Sequence, residues 1–114
     1  MASTLREEVL RLHAQVCSGL ADPNRILIIY SLAEGPHNVT EIASIVDLPQ
    51  TTVSRHLKIL RERNIVRYER VGQTIQYSLT DKRYLQALDL LRKVLAEQLV
   101  DQAALVKEVT GPFK

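Results

Sequence analysis

Cysteine occurs once in this sequence of 114 residues, phenylalanine once and tryptophan not at all. The lone Cys17 excludes an internal disulfide and fits a reducing compartment. With aromatics at 4% and hydrophobic residues at 46%, a core has to be assembled from Leu, Ile, Val and Ala. That composition leans helical and is too apolar for a disordered chain. No apolar run approaches the roughly 20 residues of a membrane span. The opening MASTLREEVLRLHAQ lacks the basic-then-apolar order of a signal peptide, so the expected location is the cytoplasm. Catalytic motifs are missing too: there is no phosphate-cradling glycine loop, no Cys/His nucleophile pair and no GxSxG. Glu7 and Glu8 are adjacent helix positions facing apart, so they cannot flank a substrate. Neither an enzyme nor a cofactor is expected.

The net charge is only +2, but it is unevenly spread. Residues 55–70 hold Arg55, Lys58, Arg61, Arg63, Arg67 and Arg70 against Glu62 and Glu69, a local +4, which leaves −2 for the remainder. A basic patch on a slightly acidic chain is the footprint of a polyanion partner. A solvated, salt-bridged face has the same composition, and charge alone does not separate the two.

Periodicity predicts a first helix over about 4–20, with Leu5, Val9, Leu12, Val16 and Leu20 on one stripe and Leu10, His13 and Cys17 beside it. Two adjacent apolar stripes imply broad burial, often against a partner. Gly19 should end this helix. Asp22-Pro23 reads as a cap followed by a first-turn proline, opening a second helix that Gly35-Pro36 stops. Asn38 and Glu41 have capping-box spacing and open a third helix to about Val46, with Ile42, Ala43 and Val46 inward. After DLPQ comes QTTVSRHLKILRERN. As a helix it places Val53, Leu57 and Leu60 on a thin apolar stripe, with Thr51, Ser54, Arg55 and Lys58 opposite. Ile59 lies off that stripe and is expected to face a neighbouring strand. Residues 65–80 then alternate about Gly72, which predicts a hairpin. From about 81 to 109 a long helix follows, spanning roughly 40 Å at 1.5 Å per residue. Its stripe is Leu85, Leu88, Leu91, Leu95 and Leu99, continued by Leu105, Val106 and Val109, and the tail TGPFK should fray.

The expected fold is therefore one domain over 1–114, mainly α with a small β-hairpin, in the order α-α-α-α-β-β-α. Residues 39–63 form a helix-turn-helix and 65–80 its wing. The terminal helices, about 4–20 and 81–109, are left to form a homodimer. A recognition helix must dock through a thin apolar stripe and present small, hydrogen-bonding and cationic side chains to a DNA groove. Thr51, Thr52, Ser54, Arg55 and Lys58 suit that second task, and Arg70, Gln73 and Thr74 flank or form the wing tip, within reach of phosphates or the minor groove.

LADPNRILIIYSL, TVSRHLKILRERNIV and YERVGQTIQYSL, in this order, resemble the ArsR/SmtB family of winged-helix repressors. The resemblance runs from about residue 5 to 105. It is carried by Asp22, Pro23 and Arg25 before the second helix and by the core from Gln50 to Lys58. It implies a homodimer joined through its first and last helices that binds a two-fold operator and releases it when an effector binds. By position it marks Gln50, Thr51, Thr52, Ser54, Arg55 and His56 as groove-facing, with Val39 and Thr40 as supporting backbone contacts. His56 reads equally as a DNA ligand or as a spacer against the wing. Two positions depart from the family's pattern. Pro49 stands where Ser is frequent, replacing a side-chain cap with a fixed turn, and Gln73 stands where the wing tip is often basic.

The family's metal effectors are not expected here. The histidines are His13, His37 and His56, so Asp89, Glu97, Asp101 and Glu108 of the last helix have no histidine at ligand spacing. The third helix reads EIASIV, without the Cys-x-Cys of the family's soft-metal sites. Cys17 reads as a small apolar residue in the dimer core, with a redox switch across the dimer axis as the sharper alternative. His13 is expected at the same interface. The partners implied are double-stranded DNA and a second copy of the chain, with a small-molecule or redox effector open. The competing function is a winged-helix module for protein contacts only, which calls for a more apolar outer face than residues 51–58 supply.

Overall fold

The computed structural model describes residues 4–110, with side chains described to residue 103. The chain divides into two compact units, one running to Lys82 and one beginning at Arg83. Helix α1 spans Leu5–Leu12, and Thr4 caps it by accepting the Glu7 N–H at 3.1 Å. The expected single helix to Gly19 does not continue in α register. His13–Cys17 forms a π-helical turn, with the Ser18 N–H bonding the His13 carbonyl at 2.9 Å. Gly19 then lies so close to the chain that a Cβ there would sit 2.8 Å from Cδ1 of the buried Ile65, so a larger residue requires that side chain to shift.

Helix α2, Pro23–Ser31, starts as the sequence indicates: Asp22 is extended, and its carboxylate accepts the Asn24 N–H at 2.8 Å. It ends at Ser31, ahead of Gly35-Pro36. Helix α3, Val39–Val46, carries the full capping box, with Asn38 accepting the Glu41 N–H at 2.8 Å and Glu41 accepting the Asn38 N–H at 3.0 Å. Asp47 closes it in the left-handed region at φ 57. Helix α4, Gln50–Glu62, follows Pro49, which supplies no side-chain cap. It closes with Asn64 at φ 59 and the Ile65 N–H on the Leu60 carbonyl, the six-to-one bond of a Schellman end.

Strands β1, Val66–Val71, and β2, Thr74–Leu79, pair antiparallel with Val66 opposite Leu79 and Val71 opposite Thr74. The loop is Gly72-Gln73. Gly72 alone of the two has positive φ, at 64, the pattern of a type II′ turn. A contact not foreseen from sequence extends this sheet: His37 exchanges backbone bonds with Tyr77, at 3.0 and 2.8 Å, and straps the start of α3 to β2.

Ile28, Ile29 and Leu32 from α2 and its end, Ile42 and Ala43 from α3, and Val53, Leu57 and Leu60 from α4 form the core, closed by Ile65 and Val66. Removing such side chains from water contributes about 1.5–3 kcal/mol each. This core fixes α3 and α4 as the helix-turn-helix.

The second unit is helix α5, Arg83–Thr110, 28 residues and so about 42 Å long. Leu88 is buried, whereas Leu91, Leu95 and Leu99 are exposed, with Leu90, Val94 and Val100 beside them. The side chains of Leu105, Val106 and Val109 lie outside the described residues; of the TGPFK tail expected to fray, Thr110 is the last helical residue of α5 and the rest lies outside them. Among the described residues no helix is long and apolar enough to cross a membrane.

Candidate nucleic-acid interface

The two faces of α4 separate cleanly. Val53, Leu57 and Leu60 are 0% exposed, while Gln50, Thr51, Ser54, Arg55 and Lys58 are exposed and Thr52 is half-buried. Ile59 is half-buried, and Glu62 is exposed at the C-terminal end. At the start of α3, Thr40 is exposed and Val39 half-buried. Neutral hydroxyls and two cations therefore share one open surface, which can hydrogen-bond base edges and neutralise phosphate.

His56 departs from the expected outward face. It is 4% exposed, turned into the protein, and its Nδ1 lies 3.5 Å from Nη1 of Arg25. A guanidinium only donates, so Nδ1 accepts, and the neutral ring carries its proton on Nε2. Burial holds the His56 pKa below the ordinary histidine value. The Asp22 carboxylate opposes that shift, and the Arg25 and Arg55 charges add to it. Asp22 is itself held below the usual carboxylate range, first by the Asn24 N–H and also by the charge of Arg25. Two further donors of Arg25 go to carbonyls, Nε to Gly19 at 2.7 Å and Nη2 to Ser18 at 3.2 Å. The Asp-Pro-x-Arg motif is thus structural: it caps α2 and braces the inner side of α4.

Arg70, Gln73 and Thr74 are exposed on the wing. The Thr74 hydroxyl donates to the Val71 carbonyl at 3.0 Å, so it closes the turn. The wing is tied to α4 by a contact that sequence reasoning missed. The Arg61 guanidinium lies 4.9 Å from the centroid of the Tyr68 ring, and Tyr68 pairs with Tyr77 across the strands at 6.1 Å. The only signal for it was a cation near the end of one helix and an aromatic residue on the next strand, a combination too common to read.

Cys17 is free and exposed on this chain, in the π-helical turn, and His13 is exposed beside it. Among the described residues no three His, Cys, Asp or Glu side chains come together as a metal site would require.

Residues 22–68 match the family model described as bacterial regulatory protein, arsR family. The HTH-type transcriptional regulator NmtR of Mycobacterium tuberculosis is 40% identical over 79 residues, 67% of this chain and 66% of that protein. The transcriptional repressor SmtB homolog of Synechocystis is 36% identical over 81 residues, 71% of this chain and 59% of that protein. The matched stretch therefore spans less than two thirds of either relative. Among solved structures, the homodimeric winged helix-turn-helix DNA-binding domain of Mb0332 from Mycobacterium bovis superposes with a TM-score of 0.73 at 28% identity, covering 86% of this chain and 91% of that one.

Proposed function

The chain belongs to the arsR family of bacterial regulatory proteins, and from that premise we propose that it is a homodimeric, sequence-specific DNA-binding repressor. One observation carries the reading: Thr51, Ser54, Arg55 and Lys58 are exposed on the helix whose opposite side, Val53, Leu57 and Leu60, is fully buried. A surface for docking protein would be more apolar there. In this account α4 enters the major groove, Arg55 bonds a guanine edge, the hydroxyls of Thr51 and Ser54 meet neighbouring bases, and Lys58 neutralises phosphate. Arg70 and Gln73 place the wing over the adjoining backbone. Exposed apolar residues on α1, and separately on α5, supply the surface a second copy would cover. The Mycobacterium bovis neighbour is described as homodimeric, and the Synechocystis relative is named a repressor. Two copies of α4 then lie about 34 Å apart, or a multiple of it, and favour an inverted repeat. Bound over a promoter in the cytoplasm, the dimer excludes polymerase, and its role is regulatory, without catalysis.

The test is a fluorescence-anisotropy titration against the duplex upstream of the protein's own gene, with a scrambled duplex as control, at several salt concentrations. Binding ~10³-fold or more tighter to the native duplex supports the reading. Equal, salt-labile binding to both overturns it for that DNA. Arg55→Ala should weaken the specific complex by ~1–3 kcal/mol and relax base preference at one position. Lys58→Ala should weaken all sequences alike and lower the salt slope by about 1.

A further inference from the structure

The π-helical turn after α1 is where the chain grips the recognition helix. Ser18 N–H reaches back to the His13 carbonyl, and the Ala14 carbonyl accepts both the Ser18 hydroxyl, at 2.5 Å, and Nη1 of Arg63. Arg63 is the C-cap of α4. Its own carbonyl, one of those a helix end leaves without an internal partner, accepts the Gln15 side-chain amide at 2.8 Å. The exchange is reciprocal and spans 48 and 49 positions of sequence. A second hold comes from Arg25, which binds the Gly19 and Ser18 carbonyls and also reaches His56 in the middle of α4. A third is steric: Gly19 lies against Ile65, immediately after α4.

Three separated holds fix one rigid element on another. The core already seats α4 on α2 and α3 through Val53, Leu57 and Leu60, so the bonds of Arg63 and Gln15 are not needed to bury it. What they add is a defined placement of α4 relative to the segment that α1 leads into. A π turn is uncommon, and single π turns within helices are frequent at functional sites.

We propose that Arg63 and Gln15 are positioning residues that set the offset between α1 and the recognition helix, and thereby the half-site spacing that the dimer accepts. The inference rests on the repressor reading, with α1 in the dimer interface. One inserted base pair moves a half-site by about 3.4 Å and turns it by about 35°. A dimer with rigidly held α4 helices rejects such a change, and one with loosened helices tolerates it.

The experiment uses the full chain. The wild-type protein selects an operator from randomised duplex DNA, and the spacer between its half-sites is then shortened or lengthened by one base pair. Wild type is expected to lose on the order of 30-fold in affinity on either change, while Gln15→Met and Arg63→Met lose less than about 5-fold and keep the native-spacer affinity within about 3-fold with an unchanged salt slope. Arg63→Lys, which restores a donor, should recover part of the spacing preference. Gln15 is exposed and makes a single bond of this kind, so its variant folds even if Arg63→Met does not. A uniform loss on every spacer with the ratio preserved would show a merely structural role and overturn the proposal, as would variants indistinguishable from wild type. If wild type selects no sequence at all, the repressor reading falls, and this inference with it.

Discussion

His56 shows how one residue can be misread and then carry a measurable consequence. On a helical wheel it stands about 60° from Val53 and about 40° from Leu60, on the margin of the docking stripe. Periodicity therefore allows an inward side chain, and only the family resemblance, by position, marks it as groove-facing. What periodicity lacked was the partner: Arg25 lies 31 positions earlier and meets the ring at 3.5 Å. Thr51, Ser54, Arg55 and Lys58 stand 100° or more from Val53, and all four are exposed. The burial of His56 predicts a pH effect with a definite sign. Its pKa is lowered on folding, so below the ordinary histidine range the unfolded chain binds more protons than the folded one. Stability is then complete above about pH 6.5 and declines as pH falls through that value. Thermal melts between pH 8 and pH 5.5 should show this decline, and His56→Gln should flatten it. A wild-type melting temperature that rises on acidification would mean that the Asp22 attraction outweighs burial.

At the scale of elements, what was legible was what is local. The capping box of α3 depends on Asn38 and Glu41, three positions apart, and both of its bonds form. Asn38→Ala removes a side-chain acceptor from the first turn and should cost about 1 kcal/mol. In a domain of this size that is roughly 4 °C of melting temperature, readable by circular dichroism. A melt unchanged to within 1 °C would mean that the His37–Tyr77 strap alone fixes the start of α3. The hairpin was equally legible, since Gly72 supplies the positive φ that a two-residue turn demands. The π turn was not. Residues 4–20 carry an unbroken α-helical pattern, and the residue that bonds Ala14 and Gln15 of the altered turn, Arg63, is 48 and more positions away. For the same reason the backbone bridge between His37 and Tyr77 left no trace in any local pattern.

For the whole molecule, the decisive quantity is the apolar surface that a single chain leaves open. Leu91 is 64% exposed and Leu95 56%, on a helix about 42 Å long. The sequence pointed there because the stripe outruns what a chain this short can cover by itself. With the apolar stripes of the first helix, it points to a second copy of the chain as the partner. Leu95→Glu places a charge in the proposed interface. The variant should sediment as a monomer, keep its helical content, and lose on the order of 10²–10⁴-fold in operator affinity, the contribution of linking two half-site contacts. A variant that stays dimeric would move the interface elsewhere.

Entry of α4 into the major groove is tested by chemical protection of guanine N7 from dimethyl sulfate on the selected operator, because that atom lies in the major groove. Two protected patches are expected, about one helical turn or a multiple of it apart and related by two-fold symmetry, with one guanine in each patch losing protection in the Arg55→Ala complex. Tight binding without protected guanines in a guanine-containing operator, or protection unaffected by changes to Arg55 and its neighbours on α4, would contradict it.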